Sequence, residues 1–120
     1  MSKKILVVED DPVQQQRICT ALQAVDAEII VAANGQQGVS KAVEERPDLI
    51  LMDVVMPEVD GFAACRQITS GDTTREIPVV IVSSKNQEAD KVWAQLQGAK
   101  AMISKPFSDQ ELVEQVNAFL

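Results

Sequence analysis

A regular alternation of short, continuously apolar runs with longer amphipathic stretches constrains the fold more than any other feature. The runs are apolar at every position rather than at alternate ones, which is the pattern of strands buried on both faces of a parallel sheet. They comprise residues 5–8, 29–33, 49–52, 79–82 and 101–103. The chain is therefore predicted to contain five parallel strands.

The stretches between these runs carry helix start signals. Asp11 is followed by a proline and predicts an N-cap, with Gln14 closing a capping box. Asn34 predicts the cap of a second helix, and a third helix is expected to begin near residue 60. Ser108 and Glu111 form a Ser-x-x-Glu capping box at the start of the fifth helix.

The fourth helix has apolar residues at i, i+3, i+4 and i+7, namely Ala89, Val92, Trp93 and Leu96. This spacing predicts one buried apolar face, on which Trp93 is a core aromatic. The alternative is a partly exposed tryptophan on a surface that binds a partner.

Strict alternation of five strands with five helices predicts an α/β sandwich. Parallel strands need right-handed crossovers, so helices must cover both faces of the sheet. The expected architecture is a flavodoxin-like (βα)5 fold with strand order 2-1-3-4-5. With 120 residues, the chain is expected to form one domain over residues 1–120, with no second domain.

Composition excludes several function classes. The chain has 18 acidic and 11 basic residues and a net charge of −7, which disfavours nucleic-acid binding by this chain alone. Its apolar runs are far shorter than the roughly 18 residues of a membrane span, so no membrane insertion is expected. It has no histidine, which excludes Ser-His-Asp catalysis and His-ligated zinc. Two cysteines are too few for a disulfide framework, so a reducing cytoplasm is the expected location.

Polar residues follow four of the five predicted strands. Glu9 and Asp10 follow the first, Asp53 the third, Ser83 the fourth and Lys105 the fifth. Ligands of open parallel sheets bind at the carboxyl ends of the strands, so these side chains are expected to converge. Converging carboxylates favour Mg²⁺, and a carboxylate beside Mg²⁺, a lysine and a hydroxyl forms a phosphoryl-transfer site. Gly-rich nucleotide-binding motifs are absent from the sequence.

These motifs as a set resemble the receiver domain of two-component response regulators, of the CheY-like single-domain type. They are the acidic pair Glu9-Asp10, Asp53 at the start of Asp-Val-Val-Met-Pro, the hydroxyl of Ser83, and Lys105 in Lys-Pro-Phe. The resemblance covers the whole chain. It implies a signalling phosphoacceptor domain rather than an enzyme, one that assists its own phosphoryl transfer and dephosphorylation.

The resemblance also implies a role for each site residue. Asp53 would accept a phosphoryl group from a histidine kinase. Asp10 and Asp53 would ligate Mg²⁺ together with the backbone carbonyl of Val55, and Glu9 would act through a metal-bound water. Ser83 would donate to the phosphoryl oxygens, and Lys105 would pair with them. A downstream target protein would bind the surface formed by residues 86–97, 101–103 and 108–120.

Residues 85–99 resemble more narrowly the PilH-type regulators of type IV pilus twitching motility and their phototaxis relatives, which predicts a role in pilus motility.

Two residues are notable. Met102 stands where receiver domains usually carry Tyr or Phe, so their aromatic switch is not assumed here, although the flexible methionine could keep some coupling. Val55 is a branched apolar residue that could hinder the water that hydrolyses the acyl phosphate.

Two alternatives remain open at this point. The chain could be a receiver domain cut from a longer response regulator, such as a transcription factor or an enzyme. It could also be a Mg²⁺-dependent phosphohydrolase of the acyl-phosphate type. Those enzymes commonly place a second Asp two residues after the nucleophile, whereas this chain has Val55 there.

Overall fold

The computed structural model describes residues 3–53, 61–84 and 87–120, and describes no side chain for residues 61 and 62. Strands and helices alternate along the described chain, with a short 3₁₀ helix, Leu22–Ala24, after the first helix. The elements are β1 (Lys3–Val8), α1 (Pro12–Ala21), β2 (Ala27–Ala32), α2 (Gly35–Glu45), β3 (Leu49–Met52), α3 (Gly61–Ser70), β4 (Val79–Ser83), α4 (Glu88–Leu96), β5 (Ala101–Ser104) and α5 (Asp109–Phe119).

The five strands form one parallel sheet in the order β2-β1-β3-β4-β5. The predicted fold class and strand order are confirmed. β1 lies between β2 and β3, and its Ile5 is in register with Ile29 on one side and Leu49 on the other. The strand order reverses between β1 and β3, which places the end of β1 next to the end of β3.

Successive residues of the central strands enter two different cores. In β1, Leu6 and Val8 belong to the core under α2, α3 and α4, whereas Ile5 and Val7 belong to the core under α1 and α5. All four side chains are buried. Because strand side chains alternate between the two faces, a strand buried on both faces must be apolar at every position. This is the physical reason for the continuous apolar runs.

Local hydrogen bonds set the helix starts. The Asn34 side chain accepts from the Gln37 N–H at 2.8 Å, and the Ser108 hydroxyl accepts from the Glu111 N–H at 3.1 Å. Asp11 also caps its helix, by accepting from the Val13 N–H. The predicted closure by Gln14 is wrong, because the Asp11 N–H donates to the carboxylate of Glu9 at 3.3 Å instead. The first helix is thereby tied to the end of β1.

Helix α4 packs on a side that its apolar spacing does not predict. Ala94 and Gln97 are buried, while Val92, Trp93 and Leu96 are 52%, 51% and 63% exposed. The expectation of Trp93 as a core aromatic is therefore wrong. Trp93 is partly exposed, as the alternative has it, and its binding of a partner stays a prediction. The hydroxyl of Thr69 in α3 donates to the Gln97 carbonyl at 2.7 Å, which draws the end of α4 onto α3.

None of the helices in the described part of the chain has the length and apolarity that a membrane crossing requires.

Candidate active site

Backbone hydrogen bonds fix the three residues that directly follow β1, β3 and β5. The Glu9 N–H donates to the Ala32 carbonyl, the Asp53 N–H to the Val8 carbonyl and the Lys105 N–H to the Ser83 carbonyl, each at 3.0 Å. Each bond continues the sheet ladder by one step beyond the strand. The side chains of Glu9, Asp53 and Lys105 therefore start from rigid backbone positions at the same edge of the sheet.

Lys105 joins the two most deeply buried carboxylates at this edge. Its Nζ lies 2.7 Å from Oε1 of Glu9 and 3.5 Å from Oδ2 of Asp53. Glu9 is 1% exposed and Asp53 is 8% exposed, so neither charge is well solvated. Burying an unpaired carboxylate costs several kcal/mol, and the contacts with the Lys105 ammonium offset part of this cost for both side chains.

Asp10 completes a cluster of three carboxylates. Glu9, Asp10 and Asp53 each offer one oxygen, and these oxygens lie within 4.8 Å of one another. Asp10 is the least buried of the three. An all-oxygen donor set with one open side suits a hard divalent cation that keeps several waters. The cluster therefore fits Mg²⁺ by the chemistry of its donors.

The electrostatic environment perturbs Glu9. Burial raises the pKa of Glu9 from its ordinary 4.5 to about 7, and the neighbouring Asp53 carboxylate adds to the rise. The hydrogen bond from Lys105 opposes these effects and lowers the pKa of Glu9 in part. The site gathers three carboxylates around the Lys105 ammonium, a set of donors that favours a bound cation.

The two serines at the end of β4, Ser83 and Ser84, differ in solvent exposure. Ser83 is fully buried at the last position of the strand, beside β3 and β5. Ser84 is exposed and lines the cavity in front of Asp53. Val55, whose backbone carbonyl is the remaining expected metal ligand, lies outside the described residues.

A cavity of about 680 Å³ opens in front of the carboxylates and continues along α1. Besides the site residues, Val13, Arg17 and Phe107 line it.

Sequence reasoning missed Arg17. Arg17 lies 90 residues before Phe107 in the chain, and only the packing of α1 beside α5 brings the two together. The Lys-Pro-Phe motif identified the loop, but nothing in the sequence identified the partner of that loop.

The fold and the site together define the class of protein. Residues 5–117 match the response regulator receiver domain family. The chain belongs to this family and is a receiver domain of a CheY-like response regulator. The fold is that of a signalling phosphoacceptor, and the relatives are named as regulators.

Particular relatives extend this assignment. The chain is 42% identical to Protein PilH of Pseudomonas aeruginosa over 117 residues, which are 98% of this chain and 97% of PilH. The chemotaxis protein CheY4 of Vibrio cholerae superposes with a TM-score of 0.93 at 26% identity, over 100% of both chains. The chain spans about half the length of several longer curated regulators that it also matches.

A third relative bears on the metal. The receiver domain of the sensor histidine kinase PA1611 of Pseudomonas aeruginosa has a magnesium ion coordinated in its active site cleft. It superposes with a TM-score of 0.90 at 30% identity, over 99% of this chain and 98% of that one. Receiver domains bind Mg²⁺ at an acidic site, and this chain has an acidic cluster in the cavity at the carboxyl ends of its strands.

Proposed function

We propose that this protein is a phosphorylation-controlled switch whose phosphoacceptor is Asp53. The observation that carries the proposal is the contact between the Asp53 carboxylate and the Lys105 ammonium at 3.5 Å, in the cavity that opens in front of them. Asp53 directly follows the buried strand β3, and a backbone hydrogen bond to Val8 fixes its position. The cavity leaves room for a donor to approach its carboxylate. The phosphodonor is a histidine kinase.

The transfer needs little covalent chemistry from the protein. An oxygen of Asp53 attacks phosphorus, a P–O bond forms, and the P–N bond to the donor imidazole breaks. The electron pair leaves with the imidazole nitrogen, which then takes a proton. Phosphorylation converts one carboxylate into an acyl phosphate with greater negative charge. The contact of Lys105 with Asp53 supports a pairing of its ammonium with this phosphate.

The metal proposal rests on the donor set. Asp10 and Asp53 would ligate Mg²⁺ directly with the backbone carbonyl of Val55, and Glu9 would act through water. The two aspartates and Glu9 support this because their oxygens lie within 4.8 Å of one another. When bound, Mg²⁺ neutralises charge on the transferring phosphoryl group. Lys105 meanwhile holds Glu9 in place through the 2.7 Å contact.

Ser83 is proposed to donate a hydrogen bond to the phosphoryl oxygens. Its position at the end of β4, between the strands that precede Asp53 and Lys105, supports this. Because the adjacent Ser84 lines the cavity, the two serines form a matched pair for a test. Ser83→Ala should slow phosphorylation by a small phosphodonor about tenfold, the loss expected for one hydrogen bond to a charged group. Ser84→Ala should leave the rate within about twofold. The reverse order would assign the role to Ser84.

The decisive experiment is uptake of label from a phosphorylated kinase or from acetyl phosphate. Asp53→Asn keeps the size of the side chain and removes the nucleophile, so it should take up no label. The matched control is Asp72→Asn, because Asp72 is an exposed acid in the loop before β4, at the opposite end of the strands. Uptake by Asp53→Asn at the parental rate would refute the phosphoacceptor assignment. Omission of Mg²⁺ should abolish uptake by the parent.

The proposed output surface comprises residues 86–97, 101–103 and 108–120. Residue 86 lies outside the described residues, and the rest belong to α4, the edge strand β5 and α5 with their flanks. The exposed apolar side chains of Val92, Trp93 and Leu96 on α4 support this surface as the site of a downstream target. The elements also connect to the site, because β5 leads directly to Lys105. Met102 is partly buried against the core under α2, α3 and α4, and because methionine is flexible we expect a smaller or more graded shift of this surface than an aromatic switch gives.

Trp93 fluorescence reports on this output. Adding Mg²⁺ and acetyl phosphate should change the emission of the parent and leave Asp53→Asn unchanged. A protein that is phosphorylated by mass but has unchanged emission and unchanged α4 amide shifts would refute the output surface. It would then favour a role as a phosphate sink for a shared kinase.

The 42% identity to PilH supports a narrower proposal, that the system controls type IV pilus motility. Loss of the gene, or its replacement by the Asp53→Asn allele, should then alter twitching or phototactic movement. The competing proposal is a receiver domain of a longer regulator, which the longer relatives favour. Neighbouring genes decide between them, since chemotaxis-like kinase and adaptor genes favour motility and a fused DNA-binding segment favours transcription. A cytoplasmic location belongs to the same proposal, because the kinase donor acts there.

A further inference from the structure

Arg17 of α1 makes three contacts with the start of α5 and the loop before it. Its Nη2 donates to the Phe107 carbonyl at 3.0 Å, and its Nη1 pairs with the Asp109 carboxylate. Its guanidinium also lies over the Phe107 ring, 4.9 Å from the centroid. The Arg17 side chain therefore contacts the Phe107 backbone, the Phe107 ring and the first residue of α5. These contacts hold the segment of residues 105–109.

This segment carries Lys105. Phe107 is two residues beyond Lys105 and is buried in the core under α1 and α5. The other end of the segment is fixed by the hydrogen bond from the Lys105 N–H to the Ser83 carbonyl. Residues 105–107 are thus held at one end by β4 and at the other end by Arg17, and Lys105 reaches the carboxylates from between these two attachments.

We propose that Arg17 is a positioning residue for phosphoryl transfer, which acts by holding the loop of Lys105 against α1. The inference rests on the proposed function, because it assigns Arg17 an effect only through Lys105. The contacts suit arginine, since a planar guanidinium can stack on a ring while its separate N–H groups donate to a carbonyl and a carboxylate. Lysine offers a single point of charge. The ion pair with Asp109 is solvent-exposed and contributes little to stability, so the effect of Arg17 is expected mainly from its two contacts with Phe107.

The test uses acetyl phosphate as the donor, so that no kinase surface contributes. At saturating donor and Mg²⁺, Arg17→Ala should lower the labelling rate about fivefold, a size typical of residues coupled through a backbone shift. Arg17→Lys should recover only part of the loss. Arg75→Ala is the matched control, because Arg75 is exposed before β4 at the opposite end of the strands. That variant should keep the parental rate, and the Mg²⁺ affinity of Arg17→Ala should stay within about twofold of the parent.

A double-mutant cycle separates positioning from a general structural role. In the Lys105→Ala background, Arg17→Ala should cause no further loss, since the group that it positions is gone. The contrary result is that Arg17→Ala lowers the labelling rate equally in the parent and in Lys105→Ala, while Lys105→Ala by itself still slows labelling. That result overturns the Arg17 proposal and leaves the proposed function standing. A parental rate in Lys105→Ala alone overturns the role of Lys105 and the Arg17 proposal with it.

Direct observation of the Lys105 ammonium covers folded variants that label too slowly to compare. In protein labelled with ¹⁵N-lysine, the Nζ resonance of Lys105 should be protected from exchange by its two carboxylate contacts. Its protection should fall in Arg17→Ala and in the milder Arg17→Gln. Full protection in both variants overturns the proposal.

Discussion

Gly38→Ala has two opposing effects on stability, a gain in helix propensity and a steric clash in the core. Gly38 lies in the interior of α2 and is buried against β1. A Cβ there would meet Cγ2 of Val8 at 2.8 Å and Cγ1 at 3.0 Å, closer than carbon atoms pack. Alanine gains about 1 kcal/mol over glycine in a helix interior. Overpacking a well-packed core costs about 1–3 kcal/mol. We expect the clash to dominate, with a net loss of about 1 kcal/mol.

Val8 cannot move away without cost. It is 1% exposed, and its carbonyl accepts the hydrogen bond from the Asp53 N–H. A shift of the Val8 backbone would therefore also move the backbone of Glu9 and Asp53. We expect Gly38→Ala to slow phosphorylation as well as to destabilise the fold.

A second substitution isolates the clash from the helix-propensity gain. Val8→Ala removes both γ carbons and should cost about 2 kcal/mol by itself. In the double variant the new methyl of residue 38 enters the vacated space, so the losses should fall short of additivity by about 2 kcal/mol.

Urea unfolding followed by circular dichroism measures all four species of this cycle. In thermal melts of the same species, a 1 kcal/mol loss corresponds to a decrease in Tm of about 4 °C for a domain of this size. Gln36→Ala, at an exposed position of the same helix, controls for propensity and should be nearly neutral. A Gly38→Ala variant as stable as the parent, together with additive losses in the double variant, would refute the steric argument.

Three further predictions concern charge, exposure and thiol chemistry. Because the pKa of Glu9 is about 7 when folded against an ordinary 4.5, its stabilising contribution is complete below pH 4.5 and is lost as the pH rises through 7. As the pH rises through this range in Mg²⁺-free buffer, Glu9→Gln should therefore gain stability relative to the parent. A difference in the free energy of unfolding between the two proteins that stays constant with pH in urea titrations contradicts this. Leu112 is fully buried, so Leu112→Ala should lower the free energy of unfolding by about 3 kcal/mol in thermal melts. Trp93 is half-exposed, so Trp93→Ala should lower it by under about 1 kcal/mol. The opposite order counts against the burial argument. Burial raises the pKa of Cys65 to about 12, so native alkylation followed by mass should modify the partly exposed Cys19 first, and equal rates would be inconsistent with this.

Sequence alone determined the elements whose causes are local or topological. The β1 and β3 runs are apolar at each position because each strand faces two cores, so they could be assigned without the structure. Asn34 and Ser108 cap helices through hydrogen bonds that reach three residues, a distance that sequence spacing encodes. The meeting of Asp53 and Lys105 also follows from sequence, because parallel strands place their carboxyl ends at one edge.

Only the tertiary structure decided how the helices sit on this sheet. The apolar spacing of α4 identified a stripe, but the stripe faces outward because the Gln97 carbonyl accepts from Thr69 and the small Ala94 permits close packing. Arg17 meets Phe107 across 90 residues, through the packing of α1 beside α5. Contacts of this kind depend on the relative placement of whole elements, and a local pattern of residue types carries no information about that placement.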